Sequence, residues 1–325
     1  GNKGVHITTT DTVSVFAINF ATFSADASKI LPKVALGTNY LVSAYNGLGA
    51  SNKSEFLIVA TEDGTQIQIT PSVSTAGGYA AGIPYIINLD EGETYQVYSQ
   101  VAAADLTGTL IEATPLSGDC RPFAVYGGAQ CSNVPTNCTT CDHMYDQLFP
   151  IETWGTEYYI APFQSTGLYT YRILARDNGT LVSINGGAPF NMTAGQVLEY
   201  NNISTAQQVV SNSPIQVIQH MQGDACSLSG DPAMLILNAN DQKINEVTFS
   251  TVSSLIITTH FLNVVVETAD IGTVLLDNIP IPVGSFSQFP SNPINSYAQV
   301  AVTQGSHNIY AANGFTAYSY GMGNA

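Results

Sequence analysis

Glu55-Phe56-Leu57-Ile58-Val59-Ala60 runs through Thr61-Glu62-Asp63-Gly64 into Thr65-Gln66-Ile67-Gln68-Ile69-Thr70. Two β-rich runs of alternating character flank an Asp-Gly turn, the strongest short-range signal for a β-hairpin. The alternation returns in Tyr95-Gln96-Val97-Tyr98, Leu181-Val182-Ser183-Ile184 and Phe315-Thr316-Ala317-Tyr318. Helical spacing is confined to a turn or two around Asp142 to Leu148. The 28 Gly and 15 Pro fall mostly between the alternating runs, where strand-rich chains place their turns. The chain reads as all-β.

The hairpin is one copy of a repeat. Ile30-Leu31-Pro32 followed by Gly37-Thr38-Asn39-Tyr40 is echoed 118 residues on by Leu148-Phe149-Pro150 and Gly155-Thr156-Glu157-Tyr158. Ile58-Val59-Ala60 with Gly64-Thr65 is echoed by Ile173-Leu174-Ala175 with Gly179-Thr180, and more faintly by Val264-Val265-Val266 with Gly272-Thr273. Val13-Ser14-Val15-Phe16, Phe123-Ala124-Val125-Tyr126, Ile215-Gln216-Val217-Ile218 and Phe315-Thr316-Ala317-Tyr318 align as four closing strands. The expected organisation is a closing hairpin of an upstream unit at 1–35 and a first β unit at 36–128. A cysteine-containing loop at 129–153 then leads to a second unit at 154–223 and a third at 224–325. Units with about seven short strands predict tandem sandwich-like antiparallel packing. A propeller with about two blades per repeat is the alternative.

Composition removes several function classes. Eight Lys and Arg stand against 24 Asp and Glu, a net charge of −16, so no basic stripe for nucleic acid or anionic lipid can form. Apolar residues make up 45% of the chain, enough for a folded core. No apolar run reaches the roughly 20 residues of a membrane helix, so direct membrane insertion is not expected. Gly1-Asn2-Lys3 carries no signal peptide and reads as a cut end inside a longer polypeptide.

Cys120, Cys131, Cys138 and Cys141 lie close together and Cys226 stands apart. Cys138-Thr139-Thr140-Cys141, with His143 nearby, has a spacing found in zinc sites. A thioredoxin-like role would need a helix opening after a parallel strand, which is not in evidence. One or two disulfides in an oxidising compartment are the plain reading.

Catalytic constellations are not apparent. There is no Gly-x-Ser-x-Gly elbow or phosphate loop, and His6, His143, His220, His260 and His307 are dispersed. Leu89-Asp90-Glu91-Gly92-Glu93 offers paired carboxylates but reads as a turn. Asp63, Asp177 and Asp270 recur at equivalent turns and are the calcium candidates, although Asp before Gly is also ordinary hairpin chemistry. Gly230-Asp231-Pro232-Ala233 has Ala where self-cleaving Gly-Asp-Pro-His sites have His, so no cleavage is expected. Asn52, Asn137, Asn178, Asn191 and Asn202 begin glycosylation sequons.

Asp105-Leu106-Thr107-Gly108-Thr109 is followed by Ala124-Val125-Tyr126-Gly127-Gly128, Cys131, Cys141-Asp142-His143, Gln147-Leu148-Phe149-Pro150 and Trp154-Gly155. That order resembles the N-terminal domain of the IgG-Fc-binding-protein family, and the resemblance covers most of the chain. Gly314-Phe315-Thr316-Ala317-Tyr318-Ser319-Tyr320-Gly321 resembles the end of this domain in large bacterial surface proteins, among them adhesins of gliding bacteria. The resemblance implies an extracellular or cell-surface module with no enzymatic activity, and Cys131 and Cys141 as a bridged pair. Cys120 and Cys138 are additional to the simplest family pattern, and their partners, with that of Cys226, stay open.

The leading expectation is a module of a cell-surface adhesin that contacts glycans or extracellular proteins through its loops, or serves as a spacer. Asn46 to Ser54 and Gly167 to Tyr171 are the candidate contact loops. A mucus-type module with immunoglobulin Fc affinity is the alternative, and a glycan-active enzyme is a further one. No resident cofactor is expected, calcium excepted.

Overall fold

The computed structural model describes residues 3–21, 24–114, 121–252 and 257–323. A first hairpin pairs β1 (Val15–Ala21) with β2 (Ser24–Ile30). The first unit contains β3 (Asn39–Leu41), β4 (Ser54–Ala60), β5 (Thr65–Thr70), β6 (Tyr85–Leu89), β7 (Thr94–Tyr98), β8 (Leu110–Ala113), β9 (Phe123–Asn133) and β10 (Cys141–Gln147). They form two four-stranded sheets, ordered β10-β9-β4-β7 and β3-β8-β5-β6. The period-two alternation of β4 and β5 is the cause: Phe56, Ile58, Ile67 and Ile69 all point into one core with Val125 and Ile111. Full burial of each such side chain contributes about 1.5–3 kcal/mol.

The second unit contains β11 (Gly155–Ile160), β12 (Tyr169–Ala175), β13 (Thr180–Ile184), β14 (Phe190–Met192), β15 (Val197–Ile203), β16 (Gln207–Met221) and β17 (Ala233–Ile236). The third contains β18 (Ile244–Ser250), β19 (Ile257–Glu267), β20 (Leu275–Leu276), β21 (Ile279–Pro280), β22 (Phe286–Phe289), β23 (Asn292–Val302) and β24 (Ser306–Gly323). In both, one long strand serves two sheet faces. The start of β16 pairs with β11 and β13, and its end pairs with β12 and β17. Likewise β24 begins on β18 and β20 and ends on β19. Every pairing among the described residues is antiparallel, and each unit closes over its own core. The architecture is therefore sandwich-like, not a propeller.

The repeat has a physical clasp. The buried Tyr40 hydroxyl accepts from Gly37 N–H at 3.0 Å and donates to the Phe123 carbonyl at 2.8 Å. Tyr158 does the same between Gly155 at 3.2 Å and Ile215 at 2.6 Å. Each Tyr thus ties the opening of a unit to the closing strand, at its first residue Phe123 in β9 and at Ile215 midway along β16, which is why Gly-Thr-x-Tyr recurs.

Two expectations need correction. The stretch 129–153, expected to be a loop, holds the end of β9 and all of β10, so the helical turn around Asp142 to Leu148 is also a strand. Apolar patterning hid β10 because Asp142, Gln147 and Asp146 accept hydrogen bonds from backbone N–H groups of Ala25 in β2, Leu31 just after it and Ile236 in β17. In addition, β17 lies beyond the expected boundary at 224 yet is bonded to β16 of the second unit.

Candidate functional site

The connection from β9 to β10 organises one end of the first unit. Cys131 and Cys141 are bridged across the hairpin with Cα atoms 5.4 Å apart. Cys138, on the intervening loop, is bridged to Cys226 of the second unit, 88 residues away, with a Cα separation of 5.7 Å. Cys138 and Cys141 therefore belong to different bridges, and no thiolate set for zinc remains there. Cys120 lies outside the described residues. The loop 46–54 is tied to the same place: Leu48 N–H donates to Cys131 O at 2.9 Å, Gly47 N–H donates to Ala102 O at 2.8 Å, and Ser132 Oγ donates to Asn46 O. Leu48 and Val101 are left exposed beside Gly49, Ala50, Ser51, Thr136, Asn137 and Thr139. On a chain of net charge −16 this is an uncharged patch of small polar residues with two apolar side chains. Such residues supply adaptable hydrogen bonds in protein-recognition loops, and both disulfides limit their freedom.

Behind the patch lies an ionic clamp. Arg172 on β12 is nearly fully buried; Nε meets Glu199 Oε2 at 2.7 Å, and Nη1 meets Asp105 Oδ2 at 2.7 Å and Ala44 O at 3.0 Å. Its guanidinium stands 3.7 Å over the Tyr45 ring. Asp105 also accepts from Thr107 N–H and Oγ1. Gly108 has φ +84° and faces the Gly195 carbonyl so closely that a Cβ would collide with it. The Asp105-Leu106-Thr107-Gly108-Thr109 motif is thus the joint between two units. His220 packs against Tyr45, and burial beside Arg172 holds it neutral by lowering its pKa well below the usual value.

A third feature links β2, β10 and β17. Ser28 Oγ donates to Asp146 Oδ1 at 2.7 Å, Ile236 N–H donates to Asp146 Oδ2 at 3.0 Å, and Tyr145 N–H donates to Asp26 Oδ2 at 3.0 Å. Burial pushes Asp146 up to about 6, and burial with neighbouring Asp142 and Asp224 pushes Asp231 up to about 7.

One arrangement mimics a catalytic triad. His307 Nδ1 is 2.7 Å from Asp277 Oδ2, and its Nε2 is 3.5 Å from Thr303 Oγ1. Yet Nε2 lies 2.8 Å from the Thr303 carbonyl, an acceptor to which it must donate. The lone pair that a general base needs is therefore not free. Burial opposes the charged ring, but the Asp277 and Thr303 bonds win and raise its pKa. The ring is a strap between β24 and the turn at Asp277.

The calcium candidates do not converge. Asp63 Oδ1 accepts from Glu91 N–H, Asp177 pairs with Arg176 at 2.8 Å, and Asp270 Oδ1 accepts from Asn313 at 2.7 Å, each in a different unit. Among the described residues no three His, Cys, Asp or Glu side chains are grouped as metal ligands, and the three aspartates do not share one site. In the loop Gly167 to Tyr171, Tyr169 and Tyr171 are buried in the second core, which leaves Gly167 and part of Leu168 at the surface. A groove of about 460 Å³ lies between the first two units, lined by Leu41, Leu110, Ile151, Glu152, Arg176 and Asp177 among others. No helix among the described residues is long and apolar enough to cross a membrane.

Tandem two-sheet units joined by a disulfide and a buried ion pair, with an uncharged loop end, define a disulfide-bonded β-sandwich repeat module. The family model described as IgGFc binding protein matches residues 26–321, and the chain belongs to that family. The human protein described as "IgGFc-binding protein" is 30% identical over 194 residues, which is 58% of this chain. The chain spans only 3% of that relative's length. No solved structure matches.

Proposed function

We propose that this chain is an extracellular, non-enzymatic module of a larger polypeptide, binding a protein partner through the loops around Cys131–Cys141, with immunoglobulin Fc as the partner to test. The family match over residues 26–321 carries this reading, since a related human protein bears that binding in its name. Two disulfides fit an oxidising compartment. The occupied Nε2 of His307 supports a role without catalysis.

Titration of immobilised Fc with the purified chain is the test. Saturable binding that weakens about tenfold or more in Leu48→Asp/Val101→Asp supports both the partner and the surface, since desolvated anchor residues carry most interface energy. Absence of binding to Fc removes that partner.

A cell-surface adhesin or spacer is the second reading, favoured by the stapled, apolar junction of the first two units. A glycan array run with calcium and with chelator separates it: glycan binding supports adhesion, and silence on both glycans and Fc supports a spacer.

A further inference from the structure

The first hairpin matches the closing hairpins of the complete units. Its register is that of the others: Phe16 pairs with Lys29, Tyr126 with Gln147, and Ile218 with Ile236, all at equivalent positions of the repeat. Its second strand takes the matching place too, since β2 lies beside β10 as β10 lies beside β17. The first strand is different. Phe123, Ile215 and Phe315 are 0% exposed, whereas the equivalent Val13 is 54% exposed. Phe16, Ile18 and Phe20, on one side of β1, are exposed as well. Among the described residues β1 has β2 as its only strand partner; just before β1, Ser14 Oγ donates to Thr248 O of β18 at 2.8 Å, and no strand pairs with the edge opposite β2.

The complete units show what covers such an edge. An antiparallel strand places Ile58 opposite Val125, Ile173 opposite Val217 and Val264 opposite Ala317. All three of those aliphatic residues are 0% exposed. We propose that β1 docks the equivalent strand of a further unit lying upstream in the same polypeptide, antiparallel, with an aliphatic residue opposite Val15. A second copy of this chain cannot supply it, because β4, β12 and β19 each already have a neighbour on both sides. The spacing follows as well. The paired positions are separated by 44 residues from Ile173 to Val217 and 67 residues from Ile58 to Val125. The missing strand therefore lies upstream of Val15 by a distance in that range, followed by an Asp- or Asn-containing turn that ends in Gly-Thr. This inference does not depend on the partner proposed above.

Hydrogen exchange on the parent polypeptide and on residues 1–325 tests it. Amides of β1 on the open edge exchange freely in 1–325 and slow by about 100-fold or more in the parent chain. The substitutions Phe16→Asp and Ile18→Asp leave the unfolding midpoint of 1–325 unchanged and lower that of the parent chain. Equal exchange in both chains, an upstream sequence without the strand, or a dimer of 1–325 that protects β1 would each overturn the proposal.

Discussion

The two junctions between units are built from different chemistry. The first buries Leu41, Tyr45, Met144, Trp154, Leu174 and Ile218, and adds the Arg172 clamp and the Cys138–Cys226 bridge. The second has an apolar cluster of Tyr159, Ala206, Val265 and Phe289, packs Phe261, Tyr318, Tyr320 and Met322 against the second core, and is tied by hydrogen bonds of which one, from Tyr159 Oη to Glu157, ends on a carboxylate. Tyr159 Oη accepts from Asn292 at 2.7 Å and Asn295 at 2.8 Å, and Asn263 donates to Pro162 O at 2.8 Å. The first junction therefore couples its units through charge and a covalent bond, and holds the proposed binding loops still. The second couples mainly through shape and amides and has no disulfide among the described residues, so reductant acts on it far less.

Arg172→Ala gives the largest effect. Removing one partner strands Asp105 and Glu199 beside buried surface, and loss of a buried pair's partner costs about 3–5 kcal/mol. Denaturant unfolding checks this, and a loss below 1 kcal/mol would make the first junction as forgiving as the second. Cys138→Ala/Cys226→Ala comes next. Releasing a closed loop of 88 residues removes about 4.6 kcal/mol in the chain-entropy model, with measured values of about 2–4 kcal/mol being typical. Exchange in the third unit should stay unchanged in this variant while that of the 134–140 loop rises.

The pH prediction concerns the outer strands. Asp146 is raised to about 6 and faces Ser28, Gln147, Ile236, Tyr126, Tyr145 and Asp26. The native state then holds a proton that the unfolded chain has released above pH 4. Its contribution is favourable in acid and declines as pH rises from about 4 to 6, by at most about 1.4 kcal/mol per pH unit. Asp146→Asn should flatten that slope. His307 acts in the same direction, since a raised imidazole stabilises below its folded value and stops doing so above it. Tyr159→Phe is the smallest change, about 1 kcal/mol for the lost hydroxyl, seen as faster exchange at the end of β11 with the first junction intact.

Much of this was legible because it is periodic. The hairpin at Asp63-Gly64 and the recurring Gly-Thr-x-Tyr mark strands and repeats directly, and the tyrosines proved to be the clasps. β10 was illegible because its acidic and amide side chains satisfy neighbouring backbone rather than water. The Cys138–Cys226 pairing and the Asp105–Arg172 contact join distant segments, which local pattern cannot reveal. One signal was present: a single Arg in Tyr169–Ala175, a strand buried at every position, requires a counter-charge. The proposed binding loops carry no such signal, since small polar residues look alike on any surface.

The most direct test of the account is hydrogen exchange of the chain with and without saturating Fc. Protection confined to residues 46–52, 101–104 and 134–140 is the predicted result. Protection centred on the third unit, or no change anywhere, would contradict it.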